Sequence, residues 1–382
     1  MFHGSELNLL FSQVFGYSAT EAGHRMGFLV DVPVRPSDDT PQWQERRRLA
    51  MQLARALAKT SFHVCQVYAF ESVGCNNPNF IHPVHCIALT DAIPETAEQL
   101  ESYLGEVAEI HEVYSRSEFW IALTQFSLTN LLHIAAARYG FRAASLPGFT
   151  TEMLPALSVD IAAVDARVSK LARALSRAKQ AEINFNVHGR KFSLTLDLLF
   201  RIGIASSGRF TSDGQAGTLP SGVAFIVPYE GEKSGVVSMT EGILPIEKDG
   251  MLVLCEVSEN RIVCVDGENL FADELRSRIS NDAANANIAE LGLGVLCGWG
   301  IEPIGIPQFD EKITLHIGLG RSEHLGGVTS PADFKNPSNA RHFDYIFHPA
   351  LMPDIQVTDA SLCFDDRKVP FMARGKYLLD GL

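Results

Sequence analysis

The chain has 382 residues, with 32 basic side chains against 45 acidic ones, a formal net charge of −13 and 46% hydrophobic residues. Acid outweighs base along the whole sequence, and no Lys/Arg stripe could neutralise a run of phosphates, so nucleic acid and anionic membranes are excluded as expected partners. A small-molecule or short-peptide substrate is the expectation. No apolar run approaches the roughly 20 residues that span a bilayer, and no basic start followed by an apolar stretch opens the chain, which predicts a cytoplasmic protein. Seven cysteines without a C-x-x-C pair predict reduced thiols rather than a disulfide framework. Cys255, Cys264 and Cys297 read as small buried apolar residues.

The length exceeds what one core usually serves, so two domains are expected. Thr40-Pro41 followed by apolar residues at helical spacing predicts an amphipathic helix to Ala58. On that helix Arg46, Arg47 and Arg48 read as a solvated face. Apolar runs from His63 to Phe70 and from Phe119 to Leu123 predict strands, separated by helical text at Pro94 to Leu104 and Leu128 to Tyr139, and a further helix is predicted over Val159 to Ala178. Strands alternating with helices predict an α/β N-terminal domain, residues 1–180, with a mostly parallel sheet.

After Ala181 the texture changes. Three stretches, starting at Phe185, Met251 and Ala360, each place two β-rich runs around a short polar turn. They predict a β-rich α+β C-terminal domain, residues 181–382. No glycine-rich phosphate loop is present.

Candidate ligands crowd into this second half, in Asn287-Ile-Ala-Glu290-Leu-Gly-Leu-Gly, Asp310-Glu311-Lys-Ile-Thr-Leu-His316-Ile-Gly-Leu-Gly and Arg341-His342-Phe-Asp344. His342 and Asp344 are two apart, so on a strand both point to one face and could share one ion. His316 from a neighbouring strand completes two imidazoles and one carboxylate, a set suited to iron(II) and also to zinc, cobalt or manganese. Glu290 and Glu311 raise the oxygen count toward a two-metal hydrolytic site, or orient the imidazoles from behind. The bland alternatives are satisfied structural histidines and, for Asp310-Glu311, an exposed turn. His324, beside Gly326-Gly327, reads equally as part of a loop over the site or as a plain surface turn. His82 and His85 form an H-x-x-H pair, but Pro83 spoils a helix there and no third ligand is evident.

In their order, Leu219-Pro-Ser-Gly, Val227-Pro, the Glu290 and His316 motifs, His342-x-Asp344 and Val369-Pro-Phe-Met resemble the aminopeptidase T family of metallopeptidases, a superfamily that also takes in 2,5-dihydroxypyridine dioxygenase. The resemblance runs from about Ser145 to Tyr377. It implies metal ligands at Glu290, Glu311, His316, His342 and Asp344, catalytic roles for Glu290 and Glu311, two divalent ions on a β-rich domain, and a homodimer. Two positions depart from the family pattern: Val223 stands where the peptidases have a Glu, and Glu323 where they have a Tyr. Either Glu230, Glu232 or Glu323 supplies the missing carboxylate, or the site holds one ion. The expected function is a metal-dependent hydrolase acting on an amino-terminal peptide bond or a related small amide. The alternatives are a mononuclear iron dioxygenase opening a hydroxylated (hetero)aromatic ring and a non-catalytic binding protein on the same scaffold.

Overall fold

A computed structural model describes residues 3–60 and 63–379 of the chain. Internal packing divides it into two units, Met1–Ala162 with Gly208–Ser221, and Ala163–Ser207 with Gly222–Leu382. The segment Gly208–Ser221 returns to the first unit, and most of the helix Ile161–Arg177 belongs to the second, where the sequence suggests one division near residue 180.

The first unit is built on a seven-stranded sheet, ordered Ala216–Thr218, Arg142–Ser145, Phe119–Ala122, His24–Val32, His63–Glu71, Val84–Ile87 and Val107–Ala108. The first five are mutually parallel, Val84–Ile87 pairs antiparallel with His63–Glu71 and Val107–Ala108 antiparallel with Val84–Ile87, so the expected α/β unit is present. Phe119–Ala122 is buried throughout, as a parallel strand covered on both faces must be. The predicted helix runs Pro41–Ala58: the Thr40 hydroxyl accepts the Trp43 N–H, and Pro41 opens the first turn. It packs on the strands His63–Glu71 and His24–Val32.

The arginine run on this helix is not a solvated face. Arg46 and Arg47 are buried, and only Arg48 is exposed. Arg46 donates to the Phe149 carbonyl at 3.1 Å and to Gln125 Oε1 at 2.8 Å. Arg47 grips both oxygens of Asp39 at 3.0 and 2.7 Å. Buried guanidinium groups need such partners; those of Arg46 come from chain distant in sequence and that of Arg47 from just ahead of the helix, and helical periodicity registers neither.

Nearby, Asp31 lies buried at the sheet centre, accepting from the Gln125 N–H at 2.8 Å, the Trp43 indole at 3.0 Å and Ser72 at 3.3 Å. Burial outweighs these bonds and the Arg46 charge, and pushes its carboxyl up to about 6 from 3.8. The native state therefore binds this proton more tightly than the unfolded chain, so its contribution to stability falls as pH rises from about 4 to 6. Asp31→Asn is expected to remove that fall, so that between pH 4 and pH 7 the parent loses about 2 kcal/mol relative to the variant. Urea unfolding at the two pH values measures the difference.

The second unit holds two antiparallel sheets. One has eight strands, ordered Arg261–Asp266, Met251–Ser258, Glu241–Lys248, Arg190–Asp197, Gln180–Val187, Ile355–Cys363, Lys368–Ala373 and Lys376–Tyr377. The three predicted hairpins all lie in it. Gln180–Val187 alternates half-buried and buried residues, the mark of one face on a core. Cys255 is buried here, whereas Cys264 is exposed on the terminal strand and Cys297 is half-buried, so only the first fits the apolar-core expectation. The ladder shifts register between Glu256 and Val257, so alternation breaks and Val263 and Cys264 are both exposed between the buried Ile262 and Val265.

The other sheet has five strands, ordered His342–Ile346, Leu315–Gly320, Ile288–Gly294, Val223–Ile226 and Ile204–Ser206. On one face Leu291, Leu293, Ile317 and Leu319 are fully buried or nearly so. The opposite face carries the candidate ligands. No helix among the described residues is long and apolar enough to cross a membrane.

Candidate metal centre

Three neighbouring antiparallel strands bring the candidate ligands together through register. Glu290 pairs with Gly318, Gly292 with His316, Gly318 with Asp344, and Gly320 with His342. Residues directly opposite share a face, so Glu290, His316, His342 and Asp344 all rise from the same side of the sheet. The glycines between them make room. A Cβ on Gly292 would lie 2.0 Å from the His316 ring, and one on Gly318 would lie 2.6 Å from the His342 ring. Both imidazoles thus lie across the backbone of a neighbouring strand where only glycine fits.

The ring nitrogens divide their work. His342 Nδ1 meets the Arg321 carbonyl at 2.7 Å, and His316 Nδ1 approaches the Thr314 carbonyl at 3.4 Å. Carbonyls only accept, so each Nδ1 carries the proton and each Nε2 is turned inward. His342 Nε2 stands 2.9 Å from Asp344 Oδ1 and 3.1 Å from Glu290 Oε2. His316 Nε2 stands 3.4 Å from Glu290 Oε1 and 4.0 Å from Asp344 Oδ1, and it is buried without a hydrogen bond. Ligand atoms of Glu290, His342 and Asp344 all lie within 4.8 Å of one another.

Electrostatics fit the same picture. Burial opposes charge on His316, but Glu290, Asp344 and Glu311 outweigh it and lift this imidazole to about 9. His342 rises well above its ordinary value against the same burial, because of Asp344 and Glu290. Glu290, also buried, is driven well below the usual carboxylate range by the two imidazoles. Without a cation the cluster thus holds protons on both rings. A divalent ion between the inward nitrogens and the carboxylates would take their place, and the orphaned Nε2 of His316 fits that role.

Glu311 follows the short helix Pro307–Asp310 and is half-buried, its carboxylate paired with the Lys312 ammonium. Burial holds its carboxyl above the ordinary value; Lys312 and His316 pull it down, and Asp344 and Glu290 push it up. These last influences place it within reach of the cluster's field. Asp310, its neighbour, accepts the Ile304 and Gly305 N–H groups and is not an exposed turn residue. His348 sits apart from the cluster, with Nε2 3.4 Å from Glu302.

The three carboxylates weighed as substitutes at the Val223 position are all engaged elsewhere. Glu230 is buried and accepts from Asn287 at 2.7 Å, Ser322 at 2.7 Å, Thr329 Oγ1 at 2.7 Å, the Val328 N–H at 2.6 Å and Arg201 at 3.2 Å. Glu232 pairs with Arg201, and Glu323 with Arg321. Val223 itself pairs with Gly294, on the ligand-bearing face, and is buried.

Glu230 instead fastens the loop 321–330, whose Arg321 carbonyl orients His342. Glu230→Ala would strand several buried donors, while Arg201 would keep its pair with Glu232, and is expected to cost about 3 kcal/mol of stability. Chemical unfolding of the variant checks this. The same loop sets the His324 ring edge-on to His342, centroids 5.3 Å apart. Burial, with His342 and Arg321, lowers the His324 pKa, so a neutral imidazole borders the centre.

Of the two sequence readings of His324, the loop beside the centre is the one the ring contact fits, whereas sequence spacing assigns the glycines no role. The alternation Glu-Leu-Gly-Leu-Gly and His-Ile-Gly-Leu-Gly was the signal for the glycines, since period two puts each glycine on the face of the ligand before it.

No protein-family model and no curated protein sequence matches the chain. Among solved structures, it is similar to 2,5-dihydroxypyridine dioxygenase from Pseudomonas putida KT2440, with a TM-score of 0.58 and 13% identity over 99% of this chain and 98% of that one. It is similar to wild-type AmpT from Thermus thermophilus, with a TM-score of 0.53 and 14% identity over 98% of both chains. At these identities the likeness is one of fold, and it extends along essentially the whole chain.

Proposed function

We propose that the chain is a metal-dependent hydrolase that cleaves an amino-terminal peptide bond or a related small amide with one divalent ion. The observation that carries this reading is Glu290, a carboxylate beyond the two-imidazole, one-carboxylate set, set 3.1 and 3.4 Å from the two imidazoles. His316, His342 and Asp344 would hold the ion through their inward atoms. A bound ion of this kind supplies a water with a pKa lowered to about 7 and polarises a carbonyl. Glu290 serves as a further ligand or takes the proton of the attacking water. Glu311, its carboxyl held up by burial, is suited to carrying a proton toward the leaving amine. The fold likeness to AmpT supports this reading.

A second reading rests on a different observation. With Val223 on the ligand face and Glu230, Glu232 and Glu323 engaged elsewhere, the remaining set contains the two-histidine, one-carboxylate triad of ferrous oxygenases. The likeness to 2,5-dihydroxypyridine dioxygenase supports a ring-opening oxygenase acting on a hydroxylated heteroaromatic. Elemental analysis of protein purified without added metal or chelator, followed by two assays, separates the readings. Zinc, cobalt or manganese with release of amine from small peptides or amides establishes the hydrolase. Iron with oxygen uptake on hydroxylated pyridines establishes the oxygenase. Protein that binds no ion after reloading overturns both.

A further inference from the structure

The strand that carries His342 and Asp344 is the outermost of its sheet, and among the described residues nothing pairs with its other edge. The Phe347 N–H bonds the Leu315 carbonyl at 3.0 Å, and the Arg321 N–H bonds the Arg341 carbonyl at 2.9 Å. In an antiparallel ladder the inward-bonding residues alternate, so Phe343 and Tyr345 also face the Leu315–Gly320 strand. The main-chain N–H and C=O groups of His342 and Asp344 therefore point outward from the sheet. The two residues whose side chains would hold the ion also present a free hydrogen-bonding edge.

That edge borders a cavity of about 590 Å³, walled elsewhere by Glu247, Asp249, Gln308, Leu351 and Met352. Its charge is lopsided. Lys248 and Arg278 both pair with Glu274, while Asp310 is taken up by two backbone N–H groups. Glu247 is 3% exposed; its Oε2 accepts the Asp354 N–H at 3.1 Å, and its Oε1 is buried without a partner. A buried carboxylate oxygen left unmatched favours a cationic donor.

We propose that this groove binds an extended peptide as an added strand, hydrogen-bonded to the main chain of His342 and Asp344, with Glu247 receiving the peptide's ammonium group. The proposal rests on the hydrolase reading for its substrate class. Strand addition supplies affinity through the backbone, whatever the side chains, and carries the peptide along the residues of the metal centre. The occupant is committed by charge: a neutral ring leaves Glu247 unmatched, and a free amino end does not.

The test is binding of pentaalanine to the full chain, by calorimetry, against analogues N-methylated singly at the second, third or fourth residue. Alternate N–H groups of an added strand face the edge, so methylation is expected to weaken binding about tenfold with a period of two. Glu247→Gln, confirmed as folded, is expected to weaken pentaalanine about tenfold and leave its N-acetylated form unchanged. Equal effects of all three methylations, or none, overturn strand addition; equal loss for both peptides in Glu247→Gln overturns the ammonium site. Periodic binding without hydrolysis of any peptide or amide would keep the groove and refute the hydrolase. Hydrolysis of single-residue amides with no methylation pattern would keep the hydrolase and refute the groove.

Discussion

Gly292→Ala is expected to abolish tight metal binding without removing a single ligand. The new methyl would fall 2.0 Å from His316, far inside any carbon–nitrogen contact. Backbone on a central strand cannot yield, so the ring must swing off the face, taking Nε2 away from Glu290 and Asp344. Displacing a ligand should cost more than the 10–100-fold typical of losing a supporting contact, so a drop in affinity above about a hundredfold is expected. Competition with a chromogenic chelator measures it. Gly300→Ala, at a position with open space around its Cβ but a left-handed backbone, serves as a control for mere strain, and should keep the ion. Retention of full affinity by Gly292→Ala would show that His316 is not a ligand.

His316→Ala is expected to erase the stabilisation that a metal ion gives the fold. His316 is completely buried, and its Nε2 is the one inward nitrogen of the cluster without a hydrogen bond. A ligand that binds the native state alone raises stability by RT ln(1 + [L]/Kd), about 4 kcal/mol at a thousandfold excess over Kd. The parent should therefore melt at a higher temperature when metal-loaded than after chelation, and the variant at the same temperature in both. The variant's chelated form is also expected to melt below the parent's, because it leaves a cavity and deprives Glu290 and Asp344 of a counter-charge. The difference between loaded and chelated protein separates the two effects.

Much of this site is legible in the sequence because strands have period two. His342-x-Asp344 and the glycine alternations after Glu290 and His316 place side chains on a face with no knowledge of tertiary structure. The helix Pro41–Ala58 and the three hairpins are equally local, being set by a cap, a proline and short turns. What escapes is whatever depends on chain brought from elsewhere. Arg46 looks solvated on a helical wheel, yet Gln125 and Phe149 enclose it. Glu230 looks like any acidic residue until Asn287, Ser322 and Thr329 close around it. The return of Gly208–Ser221 to the first unit follows from strand pairing of Ala216–Thr218 with Arg142–Ser145, which no pattern inside either segment announces.

The placement of Val223 separates it in the chain from the other residues of the candidate face. Glu290, His316, His342 and Asp344 belong to three strands that follow one another along the chain, while Val223 reaches the same face from a strand contributed by an earlier stretch. A carboxylate at that one position would add a charge to the face and leave every other donor where it is. On the proposed metal reading, Val223→Glu is thus expected to change the number of ions held without disturbing the glycine-floored strands.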